Sequence, residues 1–253
     1  MLKQLENRAV DRDFPTFIQT AQSSKSPFPP LYSLSEAVDL LLAGTDTLSI
    51  TLVNILYHLS QSPALVQRLQ QEIDSAENTS LPSLEKLPLL TATIKEGLRL
   101  SHGVLGRLPR LAPSGGWDFE GIHVPGGTII SSSAPVVHND PSIFPEPHAF
   151  VPDRWLREDG TYNVAMEQYL VAFSKGQRSC IGIKYTFPVN ESWLTMCSLA
   201  YAELYLGLGM FLREFDFRVL SREDEMALID VFATFFNTRR VELELRRRSV
   251  AST

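Results

Sequence analysis

The chain has 253 residues, 44% hydrophobic and 21% charged, enough for one substantial globular core. A formal net charge of −6 disfavours broad nucleic-acid binding, so no nucleic-acid partner is expected. The two cysteines, Cys180 and Cys197, give no disulfide framework, and neither a Cys-x-x-Cys pair nor a His-Glu-x-x-His run supports zinc.

The N-terminus, MLKQLENRAVDRDF, is charged and reads as neither a signal peptide nor a membrane anchor. No apolar run is expected to span a membrane. The nearest, residues 194–212, is interrupted by Glu203 and reads as a buried helix. Residues 1–32 read as a helix remnant followed by a serine- and proline-rich linker, and residues 33–253 as the main body. Ser33 and Glu36 have capping-box spacing. They predict a long helix to about Leu59, with Leu34, Val38, Leu41, Leu42, Leu48, Leu52, Ile55 and Leu59 at helical intervals.

Inside that helix lies Ala43-Gly44-Thr45-Asp46-Thr47. A mid-helix glycine costs roughly 1 kcal/mol relative to alanine, so some local feature must favour it. Two readings are open. Small residues can let the helix pack closely on a neighbour. Alternatively the threonine hydroxyls bond back to carbonyls and widen a turn, placing Ala43 and Thr47 on one face of a pocket with the Asp46 carboxylate beside it.

Ser62-Pro63 predicts the next helix start, and a further helix is expected from about Pro88 to Ser101. On it Glu96 and Arg99 share a face, which suits an ion pair, solvated or buried. Residues 103–110 leave that helix extended. There Arg107 and Arg110 are either exposed at a strand edge or placed to hold an anion. Short strands follow over residues 117–131, with turns at Glu120-Gly121 and at Pro125-Gly126-Gly127. His123, His138 and His148 lack metal-ligand spacing. Residues 139–155 are rich in proline and aromatics and read as an ordered irregular loop.

Phe173–Gly182 reads FSKGQRSCIG. Gly176 and Gly182 bracket Cys180, and Arg178 precedes it by two. Glycines allow turns and close backbone approach. A cysteine in such a loop, beside a cation, can stay ionised and serve as a metal ligand; a buried structural cysteine is the plainer alternative. The complete Phe-x-x-Gly-x-Arg-x-Cys-x-Gly pattern resembles the haem-binding loop of the cytochrome P-450 family. Ala43–Thr47 is similar to the distal-helix signature of that family, and Glu96-x-x-Arg99 to its Glu-x-x-Arg motif.

The resemblance implies a mainly α fold with small β-sheets, the C-terminal portion of the cytochrome P-450 fold and incomplete. It implies that Cys180 is the axial ligand of haem b iron, donating electron density that favours O–O cleavage. Ala43, Gly44, Arg110, Phe173, Gly176, Arg178 and Gly182 would bind the cofactor. Thr47 would stabilise bound dioxygen, and Asp46 would help relay protons. Glu96, Arg99 and Arg154 would form a buried structural triad. The partners implied are O2, a small apolar organic substrate of secondary metabolism, and an external reductase passing electrons from NADPH. Full-length relatives sit on the cytosolic face of the endoplasmic-reticulum membrane; a chain lacking the anchor would be cytoplasmic.

The chain corresponds to the C-terminal half of such proteins. After Gly182 the pattern breaks: Leu199-Ala200-x-x-Glu203 resumes it only beyond residues 184–198, which read as an insert, an unspliced intervening sequence or a gene-model error. Three functions follow from the resemblance. The first is a haem-thiolate monooxygenase, and the second a truncated non-catalytic fragment or pseudoenzyme. The third is isomerase or dehydratase chemistry without a reductase. The three arginines 246–248 read as a solvated tail.

Overall fold

The computed structural model describes residues 30–183, 198–231, 233–238 and 240–248. The expected insert, 184–198, lies outside the described residues except for Ser198, and so does most of the expected N-terminal linker. The chain divides into two compact units, residues 1–45 and 46–253. The fold is mainly helical with small antiparallel sheets.

Helix α1 spans Pro30–Ser60, so Ser33, the expected cap, lies inside its first turn. It corrects one expectation: from Ser35 to Ser60 it is long and apolar enough to cross a membrane, with a mean hydropathy of 1.5. Its second half instead enters a protein core. Ile50, Ile55, Leu56 and Leu59 are buried. Within the first unit, Val38, Leu41 and Leu42 are exposed.

In the second unit, three more helices present leucine and isoleucine at intervals of four to one core. Helix α2 (Pro63–Asp74) buries Leu65, Leu69 and Ile73, and opens with Ser62 as cap and proline in its first turn. A short helix α3 (Leu81–Leu84) sits in the connector. Helix α4 (Pro88–Ser101) contributes Leu90, Ile94 and Leu98, and α6 (Leu199–Glu214) Leu204, Leu208 and Leu212. Residues four apart lie on one helix face, so each stripe faces the same cluster, which Phe144 and Trp155 complete. Close helix packing through a glycine does occur, at Gly97, where a Cβ would overlap the Ile55 side chain. At Gly44 a Cβ would meet nothing within 4 Å among the described residues.

The described residues form four two-stranded antiparallel sheets. Strand β1 (Leu108–Leu111) pairs with β4 (Ile129–Ser132), and β2 (Trp117–Phe119) with β3 (Ile122–Val124). A short helix α5 (Ala134–His138) follows β4. Strand β5 (Phe215–Val219) pairs with β8 (Leu243–Arg247), and β6 (Leu228–Val231) with β7 (Ala233–Phe236).

The expected solvated arginine run holds for Arg246 and Arg247, which are exposed although they lie in β8, and fails at Arg248. Arg246 and Arg247 lie opposite Asp216 and Phe215 in the ladder. Arg248 reaches the end of α6: its Nη1 donates to the Leu212 and Arg213 carbonyls, each at 3.0 Å, and its Nη2 to Asp74 at 2.7 Å. The last carbonyls of a helix have no partner in the helix and carry partial negative charge, so a cation satisfies them twice over.

Candidate functional site

Helix α4 is the scaffold. Every residue from Leu89 to Ser101 is buried. Leu87, at its N-cap position, has no side-chain acceptor, so its first amides must be satisfied from elsewhere. Glu72 of α2 does this, accepting from the Leu89 and Leu90 N–H groups at 2.8 Å each. Burial raises the Glu72 carboxyl against the opposing pull of those two N–H groups.

Two turns on, Glu96 and Arg99 are both fully buried. Arg99 Nε and Nη2 donate to the two Glu96 oxygens at 2.9 and 2.8 Å. Its other donors reach the carbonyls of His138, Pro147 and Ala149 at 2.8, 2.6 and 3.1 Å. Glu96 also accepts from Arg154 Nε at 3.1 Å, the Val151 N–H at 2.9 Å and Trp155 Nε1 at 2.8 Å. Two buried charges cost several kcal/mol in lost hydration, which only dense hydrogen bonding offsets. Here one carboxylate takes five donors and one guanidinium spends all five of its own. Arg99 thereby fastens the irregular loop of residues 139–155 to α4. The hydrogen bond from Trp155 was not foreseen, although an indole next to Arg154 was a visible donor.

The segment after residues 164–169 turns at Ser174, whose N–H bonds the Val171 carbonyl at 2.8 Å. A 3-10 turn, Gly176–Arg178, follows, and Gly176 has φ +76°, where any side chain is strained. The Cys180 N–H closes the loop on the Phe173 carbonyl at 2.8 Å. Cys180 is a free, exposed cysteine, so the plainer alternative of a buried structural residue does not hold. Gly182 flanks it, a Cβ there lying 3.6 Å from Sγ. Phe173 packs on Tyr201 of α6 with ring centres 5.4 Å apart.

Arg110 sits on β1 opposite Ile130, exposed, with Nη1 on the Pro109 carbonyl at 2.9 Å. Neither Arg110 nor exposed Arg178 forms an ion pair among the described residues. In the second unit, Asp46 and Thr47 are half-buried, and the Thr47 carbonyl accepts the Thr51 hydroxyl at 2.8 Å. Thr51 also bonds Ser101 of α4 at 3.0 Å, tying the two helices. In the first unit Ala43 and Gly44 are exposed, and Thr45 back-bonds to Leu41 at 2.7 Å.

Lys95 was missed by sequence reasoning. Buried on α4, its Nζ bonds Glu167 at 2.7 Å and the Tyr201 hydroxyl at 3.0 Å, and lies 4.2 Å from the Tyr201 ring centre. Burial pulls its pKa down, but Tyr201 and Glu167 together outweigh this and leave it raised. It lines a cleft of about 280 Å3 shared with Phe173, Gly176, Ser179 and Tyr201. His123 instead pairs with exposed Asp118 at 2.7 Å. Among the described residues no cluster of three or more metal-binding side chains occurs.

The cytochrome P450 family profile matches residues 3–235. The chain belongs to the cytochrome P450 family. It is 40% identical to cytochrome P450 monooxygenase claJ of Penicillium crustosum over 74% of its own length and 41% of that protein. Cytochrome P450 monooxygenase ankB of Aspergillus thermomutatus is 35% identical over 91% of this chain and 42% of its own length. N-acetyltryptophan 6-hydroxylase ivoC of Emericella nidulans is 37% identical over 76% and 36% respectively. The chain therefore spans about two fifths of the length of the curated relatives it matches.

Cytochromes P450 use haem, and the side-chain types exposed in this chain are of the kind that could hold one. A cysteine thiolate is a recognised axial ligand of haem iron, and the Cys180 sulfur is exposed. The exposed side chains of Ile181, Leu111 and Ile129 offer apolar contact, and two cations without ion pairs to described residues suit carboxylates.

Proposed function

We propose that this chain is the haem-binding portion of a haem-thiolate monooxygenase of secondary metabolism. The observation that carries the reading is the exposed Cys180 sulfur at the end of a loop that its own N–H closes onto Phe173. Such a loop can hold a thiolate toward an external partner without burying an unpaired charge. Cys180 would ligate the iron of haem b. Arg110 and Arg178 would hold its propionates, and Gly176 and Gly182 would admit the flat ring. When bound, the haem supplies reductive O2 activation and insertion of one oxygen atom into a small apolar substrate, with electrons from NADPH through an external reductase. Thr47 and Asp46 would hold and pass protons through their hydroxyl and carboxylate. The structural role falls to Glu96, Arg99 and Arg154, whose network fixes the loop of residues 139–155.

The test is spectroscopic. The haem-reconstituted chain should give the ferrous–CO band of a thiolate-ligated haem, and Cys180→Ser should abolish it while secondary structure is retained. An unchanged band in Cys180→Ser would sink the assignment. Failure of the parent chain to retain haem would favour the non-catalytic reading.

A further inference from the structure

The histidines at positions 102 and 138 were not placed in any role by the sequence. His102 ends α4 and His138 ends α5; both are buried, and their Nδ1 atoms are 3.4 Å apart. The other ring nitrogen of His138, Nε2, accepts the Val171 N–H at 3.0 Å. A nitrogen that accepts an N–H carries no proton of its own, so the neutral His138 ring must hold its proton on Nδ1. That proton points at His102 Nδ1, which must then be an acceptor. The order is therefore fixed in one direction: Val171 N–H to His138, and His138 N–H to His102.

The backbone gives an independent sign that His102 is held for its ring. Its φ is +59°, in the left-handed region where helices usually end in glycine or asparagine. A histidine there is strained, and persists only where its surroundings compensate. The next residue, Gly103, also has positive φ, and its carbonyl accepts the Thr234 N–H of β7 at 3.0 Å. The charged or titratable groups facing the pair are Arg99, whose Nη1 bonds the His138 carbonyl, and His148 near His102. Burial and the Arg99 cation keep both rings neutral at physiological pH.

We infer that His102 and His138 are positioning residues: a proton-ordered imidazole pair that transmits the location of α4 to Val171 and so sets the entry of the Cys180 loop. The Val171 carbonyl accepts the Ser174 N–H, and two residues on the Phe173 carbonyl accepts the Cys180 N–H that closes the loop, so Val171 stands at the loop's entry. The inference rests on the haem-thiolate reading for its functional meaning, but its test needs no haem.

The haem-free 253-residue chain is assayed for amide hydrogen exchange at Val171 and for iodoacetamide alkylation of Cys180, with the Cys197 peptide resolved separately by mass. His138→Leu should speed Val171 exchange about tenfold, the size expected for one net hydrogen bond, and should also speed Cys180 alkylation. His138→Gln should restore both, because its amide can accept from Val171 and donate to His102. His102→Gly separates positioning from capping. Relief of left-handed strain alone would slow exchange or leave it unchanged, whereas loss of the ring pair should speed it. Unchanged Val171 exchange in His138→Leu, or in His102→Gly should the leucine variant not fold, overturns the inference. A Gln variant no better than Leu does so too. Loss of the ferrous–CO signature in the parent chain would remove the haem reading and leave these exchange results intact.

Discussion

The Glu96 cluster and the Cys180 loop solve opposite problems with similar numbers of residues. Around Glu96, every donor and acceptor is met from within the chain, and both charges have no solvent exposure. Around Cys180, the thiol and the nearby Arg178 are exposed, and one backbone hydrogen bond closes the loop. The first region is finished by folding alone. The second exposes its cysteine, where the proposed haem would bind. Stability and cofactor binding should therefore respond to different substitutions.

The largest expected effect tests that division directly. Arg99→Ala strands a buried carboxylate and three backbone carbonyls, and should destabilise the fold by about 3–5 kcal/mol. Lysine should rescue little, because it cannot supply a planar fork of five donors. Cys180→Ser, at an exposed position, should stay within about 0.5 kcal/mol of the parent in the haem-free chain. Urea unfolding measures both. Similar losses for the two variants would erase the distinction.

This asymmetry also explains what could be read in the sequence. Helices α2 and α4 were legible from helical spacing and from the local Ser62-Pro63 and Pro88 starts, whereas α6, Leu199–Glu214, was legible only as an apolar run over residues 194–212. Glu96 and Arg99 were legible from their spacing as a pair, solvated or buried; only the family resemblance implied the burial, because burial depends on chain some 40 to 60 residues away. The Cys180 loop was legible from its fixed spacing. His102 was not, since nothing local marks a histidine as left-handed. Arg248 was misread for the same reason: its partners, Asp74 and the α6 carbonyls, lie far away in sequence. Gly44 suggested close packing by its type, yet the helix crossing uses Gly97.

Acid should sharpen the contrast next. Burial lowers His58 and His102 to about 4 and His138 to about 3. The folded state therefore resists protons that the unfolded chain takes up below its ordinary value of 6.5. Stability is full above pH 6.5 and falls as pH drops from 6.5 toward 4, at up to about 1.4 kcal/mol per pH unit per histidine. Between pH 7 and 5.5 the three together should cost about 4 kcal/mol. Replacing His58, which stacks on Phe150 at 4.9 Å, with phenylalanine should remove about a third of that slope. A flat urea midpoint across this range would contradict the buried, neutral assignment.

A smaller effect is expected where the last strand meets the helices. Arg248→Ala removes the donors to Leu212 and Arg213 and the pair with Asp74, and should cost about 1–2 kcal/mol. Arg68→Ala, whose partner Asp153 is half-exposed like itself, should cost under about 1 kcal/mol. If the two were equal, burial at Arg248 would have no energetic meaning.

A further modest effect returns to the open region. Gly176 has φ +76° but clear space around it, so Gly176→Ala meets a backbone penalty and no clash. The cost to the haem-free fold should be about 1 kcal/mol, offset in part because alanine narrows the unfolded ensemble. Cofactor retention should suffer more than stability, since a Cβ at this turn must either tilt the 3-10 segment Gly176–Arg178 or displace what lies against it. The comparison is made by measuring haem dissociation and urea midpoint on the same preparation. A midpoint shift as large as that of Arg99→Ala would mean that the loop is part of the folded core after all, and that the cysteine is held by the chain rather than completed by its ligand.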